Sequence, residues 1–297
     1  MSTFRDLGAS IQEQKNRSKV MKRLFLIAAV FVCLSVVSVL GQTASNIVKV
    51  DLPPAEIDRI IKKFTKNEEL FRQALNVYAF NRYATMHTIG MGGQITGTYK
   101  RDSYLTFNDA GERFEKILFS PVSTMTEITV TAADIEKLGG IDPFAIEPKV
   151  VGQYNFTYLG KEKIDDLNLF VFDVAPKVIP DWKKGVAKYF QGRIWVEDEG
   201  LMIVKSRGKA VPEGKERFPI IETIRAPIDN KYYFPVDSRA DDELVFDSGQ
   251  AVKIRMRVRY TDYRLGRTDV KIVSEDDVVD ETIKKPAPSP TPAPKKP

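Results

Sequence analysis

The spacing of hydrophobic positions changes three times along the chain. Leu24 to Leu40 form an apolar run broken only by Ser35 and Ser38, directly after Lys22 and Arg23. Basic residues, an apolar core, and the tolerated pair Val39 and Gly41 at −3 and −1 predict a secretory signal peptide over 21–41, cleaved before Gln42. The first 20 residues are polar, so Met21 is a candidate start. An apolar run of about 17 residues is at the short edge for a bilayer span, which leaves an uncleaved anchor as the alternative. The spacing then turns helical. Pro53-Pro54 open a segment in which Ile57, Ile60, Ile61, Phe64, Leu70, Phe71 and Leu75 recur mostly at three- and four-residue intervals, with a break expected near Asn67.

Beyond Asn76 the period becomes two. Strands are predicted over 77–89, 94–108, 112–119, 124–130, 151–160, 168–176, 189–197, 201–209, 219–227, 231–237, 242–247 and 251–263. Turn residues separate them: Gly90-Met91-Gly92-Gly93, Asn108-Asp109-Ala110-Gly111, Glu199-Gly200, Asp229-Asn230 and Asp247-Ser248-Gly249. The clearest alternation sets Val252, Ile254, Met256, Val258 and Tyr260 against Lys253, Arg255, Arg257 and Arg259. Thr131 caps a predicted short helix, Ala132–Leu138, stopped by Gly139-Gly140, and a helical or irregular piece is expected over 180–188. Tightly linked strands with few helices predict a mainly β (α+β) domain. Its expected form is a curved antiparallel sheet, an incomplete half β-barrel closed by helices. The chain divides into an N-terminal extension and signal (1–41), this domain (42–270), and a disordered Pro/Lys-rich tail (271–297).

Charge removes one class of function. The formal net charge is +5, but residues 1–23 hold +4 and Lys284 to Pro297 another +4, leaving −3 for residues 24–283. A near-neutral body has no electrostatic footprint for nucleic acid. Catalysis finds little support. The one cysteine, Cys33, lies in the apolar run, and the one histidine, His87, sits in a predicted strand, where a packed or surface role is the commoner one. No Gly-x-Ser-x-Gly elbow is present. The acidic clusters, Asp165-Asp166, Glu197-Asp198-Glu199, Asp241-Asp242-Glu243 and Asp276-Asp277, lack calcium-loop spacing and read as solvated turns and strand ends. A hydrolase built on Asp241 and Asp242 is the remaining catalytic alternative. No catalytic residue, metal or cofactor is assigned.

The segments Tyr154 to Asp166, Phe170 to Lys177, Tyr189 to Val196 and Leu201 to Lys205 carry strand signatures, joined by Tyr232-Tyr-Phe-Pro235 and Arg239-Ala-Asp-Asp242. Over about residues 70–265 the chain resembles exported outer-membrane lipoprotein-sorting proteins, relatives of the periplasmic carrier LolA and of the LppX and RseB/MucB domains. The resemblance implies an incomplete barrel of about eleven strands with helices across its mouth and an apolar interior that holds acyl chains. The candidate lining is Tyr78, Phe80, Tyr154, Phe156, Tyr158, Phe170, Phe172, Ile194, Phe234 and Met256. The stripe Lys253, Arg255, Arg257 and Arg259 is a candidate contact for an anionic surface, against the plainer reading of a solvated outer face. The expected function is a non-enzymatic carrier in the periplasm of a Gram-negative-type envelope. Its expected partners are lipid or lipoprotein acyl chains and the lipoprotein-trafficking proteins of the inner or outer membrane. The alternative is an envelope sensor of the RseB/MucB type without transport.

Overall fold

A computed structural model of the protein describes residues 46–130, 134, 146–184 and 188–266. The signal segment, most of the predicted helix Ala132–Leu138 and the Pro-rich tail lie outside the described residues. After the helix α1 (Pro54–Leu75), three strands follow: β1 (Tyr78–Ile89), β2 (Ile95–Phe107) and β3 (Arg113–Phe119). A four-residue helical turn, α2 (Pro148–Val151), precedes β4 (Tyr154–Ile164) and β5 (Leu167–Pro176). A 3₁₀ turn at Trp182–Lys184 leads to β6 (Tyr189–Glu197), β7 (Ile203–Val211), β8 (Ile221–Ile228), β9 (Tyr232–Val245) and β10 (Ala251–Leu265).

All ten strands join one sheet in the order β3-β2-β1-β10-β9-β8-β7-β6-β5-β4, every neighbour antiparallel. The sheet is curved and does not close into a barrel, since β3 and β4 end its two edges. The Gly90–Gly93 hairpin forms as expected, with Gly93 at φ +81° in the left-handed region that suits glycine. Three expectations are corrected. Residues 124–130 form no strand: the chain leaves edge β3 there to reach the opposite edge, held to β2 by Thr124, whose N–H donates to the Thr98 carbonyl at 3.0 Å and whose hydroxyl accepts the Thr98 N–H at 2.9 Å. The expected strands 231–237 and 242–247 are one, β9, because its polar stretch keeps the alternation: Ser238 and Ala240 are buried, Arg239 and Asp241 exposed. Residues 148–151 are helical, so β4 begins at Tyr154.

Nor does α1 break at Asn67. The helix is continuous for 22 residues, and Asn67 is buried in it. Its side-chain amide donates to the carbonyls of Gly200 (2.9 Å) and Leu201 (2.8 Å) in the β6–β7 turn. The same turn wraps the Glu197 carboxylate, which accepts from the backbone N–H groups of Glu199, Gly200 and Met202. Leu201, at φ +57°, sits between these anchors in a conformation that costs a non-glycine residue energy. One residue along, Glu68 accepts from both terminal nitrogens of Arg225 in β8, at 2.5 and 3.1 Å. Both side chains are 3% exposed or less, and the guanidinium lies 4.3 Å from the centre of the Phe71 ring. Burial pushes the Glu68 carboxyl up from its ordinary range, and the Arg225 charge opposes that rise.

Removing one partner of such a pair strands a charge in the core, at a cost of about 3–5 kcal/mol. Arg225→Ala and Glu68→Ala are each expected to lower the urea unfolding free energy by about that much. The double change Glu68→Leu/Arg225→Met is expected to lower it by less than either. Equilibrium urea titration checks the order of the three.

Candidate functional site

The inner face of the sheet carries two large apolar clusters, with α1 over both, and a smaller third one at Leu244, Val252 and Ile254. Its N-terminal half brings Ile60 and Phe64 onto β4 to β7. Phe64 meets Phe156 edge-on at 5.7 Å and Phe172 at 5.8 Å, while Tyr158 packs on Phe172 at 5.3 Å and on Phe170 at 6.3 Å. Tyr154 and Ile194 complete this group, and the Tyr154 hydroxyl accepts the Phe190 N–H at 3.1 Å. The C-terminal half brings Phe71 and Leu75 onto β1, β9 and β10. There Phe71 meets Phe234 at 5.9 Å, and Tyr78 meets Phe234 at 4.9 Å and donates its hydroxyl to Asp229 at 2.6 Å. Phe80 and Met256 belong to this second group. All ten residues predicted to line a cavity are thus gathered on the inner face, packed within the two clusters that α1 covers.

Of the ten, Met256 also borders a cavity of about 460 Å³ lined by Arg239, Asp241, Arg255 and Arg257. A cavity of about 570 Å³ sits at the end of the sheet where β1 and β9 finish and β8 and β10 begin. Met86, Leu244 and Ile254 form its sheet side, Ile128 and Val130 of the crossover after β3 one wall, and Phe218 and Phe246 of two loops the others. None of the ten predicted residues borders it. Two of its residues were within reach of the sequence pattern, since Ile254 shares the β10 inner row with Met256 and Met86 falls in the predicted first strand. The walls were not, because 124–130 read as a strand and 210–218 as a plain connection.

Two charged groups at this cavity, Glu127 and Arg217, are held by hydrogen bonds. Glu127 accepts from Thr96 Oγ1 (2.8 Å), Thr88 Oγ1 (3.2 Å) and the Thr126 N–H (3.2 Å). The Thr96 bond and the backbone bonds around it hold its carboxyl down at about 2, so it is an anion at neutral pH. Lys215, Glu216 and Arg217 border the opposite side. Arg217 Nε donates to the Val245 carbonyl at 2.6 Å and its guanidinium pairs with Asp247, tying the β7–β8 loop to the β9–β10 hairpin.

Inward from the cavity, polar side chains occupy neighbouring strands. Thr223 Oγ1 and Ser238 Oγ lie 2.9 Å apart, both buried. Arg82, also buried, donates to Glu115 at 2.8 Å, and Arg101 donates to the same carboxylate through Nε (2.9 Å) and Nη2 (2.7 Å). Arg101, then Ser103 and Arg82, hold the Glu115 carboxyl down at about 2.

The outer face bears the predicted basic stripe, and each of its arginines meets a partner. Arg255 pairs with Asp241 (3.0 Å) and Arg257 with Asp237 (2.7 Å), Lys253 stands opposite Glu243, and Arg259 lies over the Tyr83 ring at 5.6 Å. Asp237 is shared with Arg239, which stands opposite Arg257, so on this solvated face three carboxylates offset the charge of five cations only in part. His87 lies on this face too, half-buried, with Nδ1 3.0 Å from Thr98 Oγ1. Asp242 accepts the Ile220 N–H at 2.8 Å, so the Asp241-Asp242 pair is divided between the two faces. Among the described residues no group of three or more His, Cys, Asp or Glu side chains is placed to hold a metal ion, and no helix is long and apolar enough to cross a membrane.

An open ten-stranded antiparallel sheet with one long helix on its inner face and a cavity at one end defines the structural class. No protein-family model matches the chain, and no curated protein matches its sequence. Among solved structures it is similar to a LolA superfamily protein from Nitrosomonas europaea at 14% identity, covering 71% of this chain and 99% of that one, with a TM-score of 0.31. It is similar to a DUF1329 family protein from Desulfovibrio piger at 12% identity, covering 71% and 95%, with a TM-score of 0.34. A third is a domain named for outer membrane lipoprotein sorting from Vibrio parahaemolyticus, at 12% identity, 73% and 96% coverage and a TM-score of 0.31. The group that the strand signatures resemble is represented among them.

A carboxyl held below its ordinary value of 4.5 contributes stability that is present above that value and lost as pH falls toward about 2. The unfolding midpoint is therefore expected to fall through that window, and less steeply in Glu115→Gln. Thermal denaturation at a series of acidic pH values, compared for the two proteins, measures the difference.

Proposed function

We propose that the protein is a non-enzymatic binding or carrier protein that takes an amphiphile with an acyl-like chain into the cavity at the end of its sheet. The observation that carries this reading is the cavity itself. Met86, Ile128, Val130, Leu244, Phe246 and Ile254 offer an apolar enclosure, and the charged groups stay at its sides. A volume of about 570 Å³ lies in the range of small-molecule sites, roughly 300–1,000 Å³. About ten methylenes buried at about 0.8 kcal/mol each supply roughly 8 kcal/mol before ordering costs, and a hold of that size is reversible. The signal-like segment supports export, and the strand-signature resemblance supports a role in lipid or lipoprotein handling in the periplasm. The aromatic groups under α1, from Tyr154 to Phe172 and around Phe234, are a second, covered part of the same inner face. Under this reading they become available to a longer chain only when α1 lifts.

Organic extraction of the purified protein followed by mass spectrometry is expected to release lipid. A fluorescent fatty-acyl probe is expected to bind, at least about tenfold more weakly to Ile128→Asp and Phe246→Asp, since a carboxylate buried against an acyl chain is strongly disfavoured. Both residues are partly exposed but also pack on inner-face clusters, so the unfolding midpoint of each variant is measured beside its probe binding to confirm that it is folded. Empty protein that also fails to bind the probe would overturn the reading.

A further inference from the structure

The loops at the cavity end carry exposed apolar side chains that the fold does not use. Strand directions place the β1–β2 hairpin, the segment after β3, the β5–β6 loop, the β7–β8 loop and the β9–β10 hairpin all at this end. At their tips Met91 is fully exposed, Val122 is 93% exposed, Val178 75% and Ile179 53%. Trp182, 38% exposed, rests beside Gly214 of the β7–β8 loop, where an added Cβ would come within 2.7 Å of the indole. The β5–β6 loop therefore abuts the wall of the cavity. At the opposite end of the sheet Leu167, Leu265 and Phe114 are exposed, and along the edge strand β3 Ile117, Leu118 and Phe119 are about half exposed.

Charge at this rim is mixed, with the carboxylates of Glu127 and Asp181 set among a larger number of lysines. Glu213, Glu216 and Asp247 are paired with Lys209, Lys188 and Arg217. Lys177, Lys183 and Lys215 make no ion pair among the described residues, and Lys183 lies 6.0 Å over the Trp182 ring. Single apolar side chains on separate convex loops do not form one groove for a partner protein. They suit a deformable surface into which each inserts independently, with an aromatic ring at the headgroup level and lysines toward anionic headgroups.

We infer that this rim is a docking surface for a phospholipid bilayer containing anionic lipid, seating the cavity mouth on the membrane. The inference rests on the amphiphile reading of the cavity for what passes the rim, and on the loop tips alone for the docking. Insertion of Val178, Ile179 and Trp182 anchors one side of the mouth, and Met91 and Val122 the other. The mouth then faces the bilayer, and an acyl chain can pass between bilayer and cavity without crossing water.

The two tryptophans, Trp182 at the rim and Trp195, 6% exposed in the sheet, make the test internal to the chain. The purified full chain is mixed with phosphatidylcholine vesicles, with or without phosphatidylglycerol, whose acyl chains are brominated. With phosphatidylglycerol, emission is expected to shift to the blue and to be quenched, and Trp182→Phe should abolish both while Trp195 still emits. Each lysine near an anionic surface contributes about a fivefold change in partitioning, so Lys177→Gln/Lys183→Gln is expected to lower the Trp182 signal's vesicle affinity about thirtyfold. Vesicles that bind the chain without quenching Trp182 would overturn the inference, because the contact would then be made by another segment. Absence of binding, or equal quenching without phosphatidylglycerol, would also overturn it. Probe binding measured without vesicles separates the two readings: retained probe binding with unquenched Trp182 removes the docking surface alone, and quenched Trp182 without probe binding removes the amphiphile site alone.

Discussion

An open sheet cannot bury its own inner face, and the seating of α1 against that face is the constraint from which the remaining architecture follows. At about 1.5 Å per residue, its 22 residues span about 33 Å, enough to cross several strands spaced about 4.8 Å apart. The apolar contacts come in two halves, Ile60 and Phe64 toward β4 to β7, and Phe71 and Leu75 toward β1, β9 and β10. Between them lie Asn67 and Glu68, both buried. An apolar seam alone tolerates axial sliding, because one methyl packs nearly as well as its neighbour. A buried carboxylate has one place to go. The Glu68–Arg225 pair and the Asn67 bonds to the β6–β7 turn set the axial position of the helix, and the aromatic layer beneath is packed to that position.

Topology then supplies the cavity. The chain finishes β3 at one edge and begins β4 at the other, so the segment between must traverse the sheet. Both of its described ends lie on the inner face: Met125, Ile128 and Val130 pack against the clusters of β1, β9 and β10, and Ile146 and Val150 against the cluster under Phe64. The helix covers one region and the crossover skirts another. What remains between the crossover, the β7–β8 loop and the β9–β10 hairpin is the space of about 570 Å³.

Much of this was legible in the pattern of residues. The period of two in β10, with Val252 to Tyr260 inside and Lys253 to Arg259 outside, is the observed burial of that strand. The helical stripe of α1 emerged for the same reason, since both periods record which side of an element meets the core. The misread places share one cause. Asn67 looks like a helix breaker because its amide competes with the backbone for hydrogen bonds, yet here the amide is used by carbonyls 133 and 134 residues away. Residues 124–130 have strand-like composition, but a strand needs a free edge at the right position, and the route to β4 decides otherwise. The cavity escaped for a related reason. Large aromatic residues advertise burial, and a helix consumes that burial first. The open space is lined in large part by medium-sized residues such as Ile128 and Ile254, which carry no special signal, with Phe218 and Phe246 reaching it from loops.

The distribution of charge follows the same logic. A run such as Lys253, Arg255, Arg257 and Arg259 looks strongly basic when read along one strand. A sheet face, however, is read across strands, and β9 sets Glu243, Asp241 and Asp237 opposite three of those positions. The turn Asp247-Ser248-Gly249 already implies that register, so the partial neutralisation was contained in the sequence of the hairpin. Loops lack such a facing strand. Lys177 and Lys183 flank Val178, Ile179 and Trp182 with no acidic row across from them, and Asp181 in the same loop offsets only part of their charge beside exposed apolar surface. The electrostatic feature on the regular part of the sheet is thereby reduced, with Arg239 opposite Arg257 keeping a net excess of cations there. A smaller one, at the irregular rim, is placed where the cavity meets the outside.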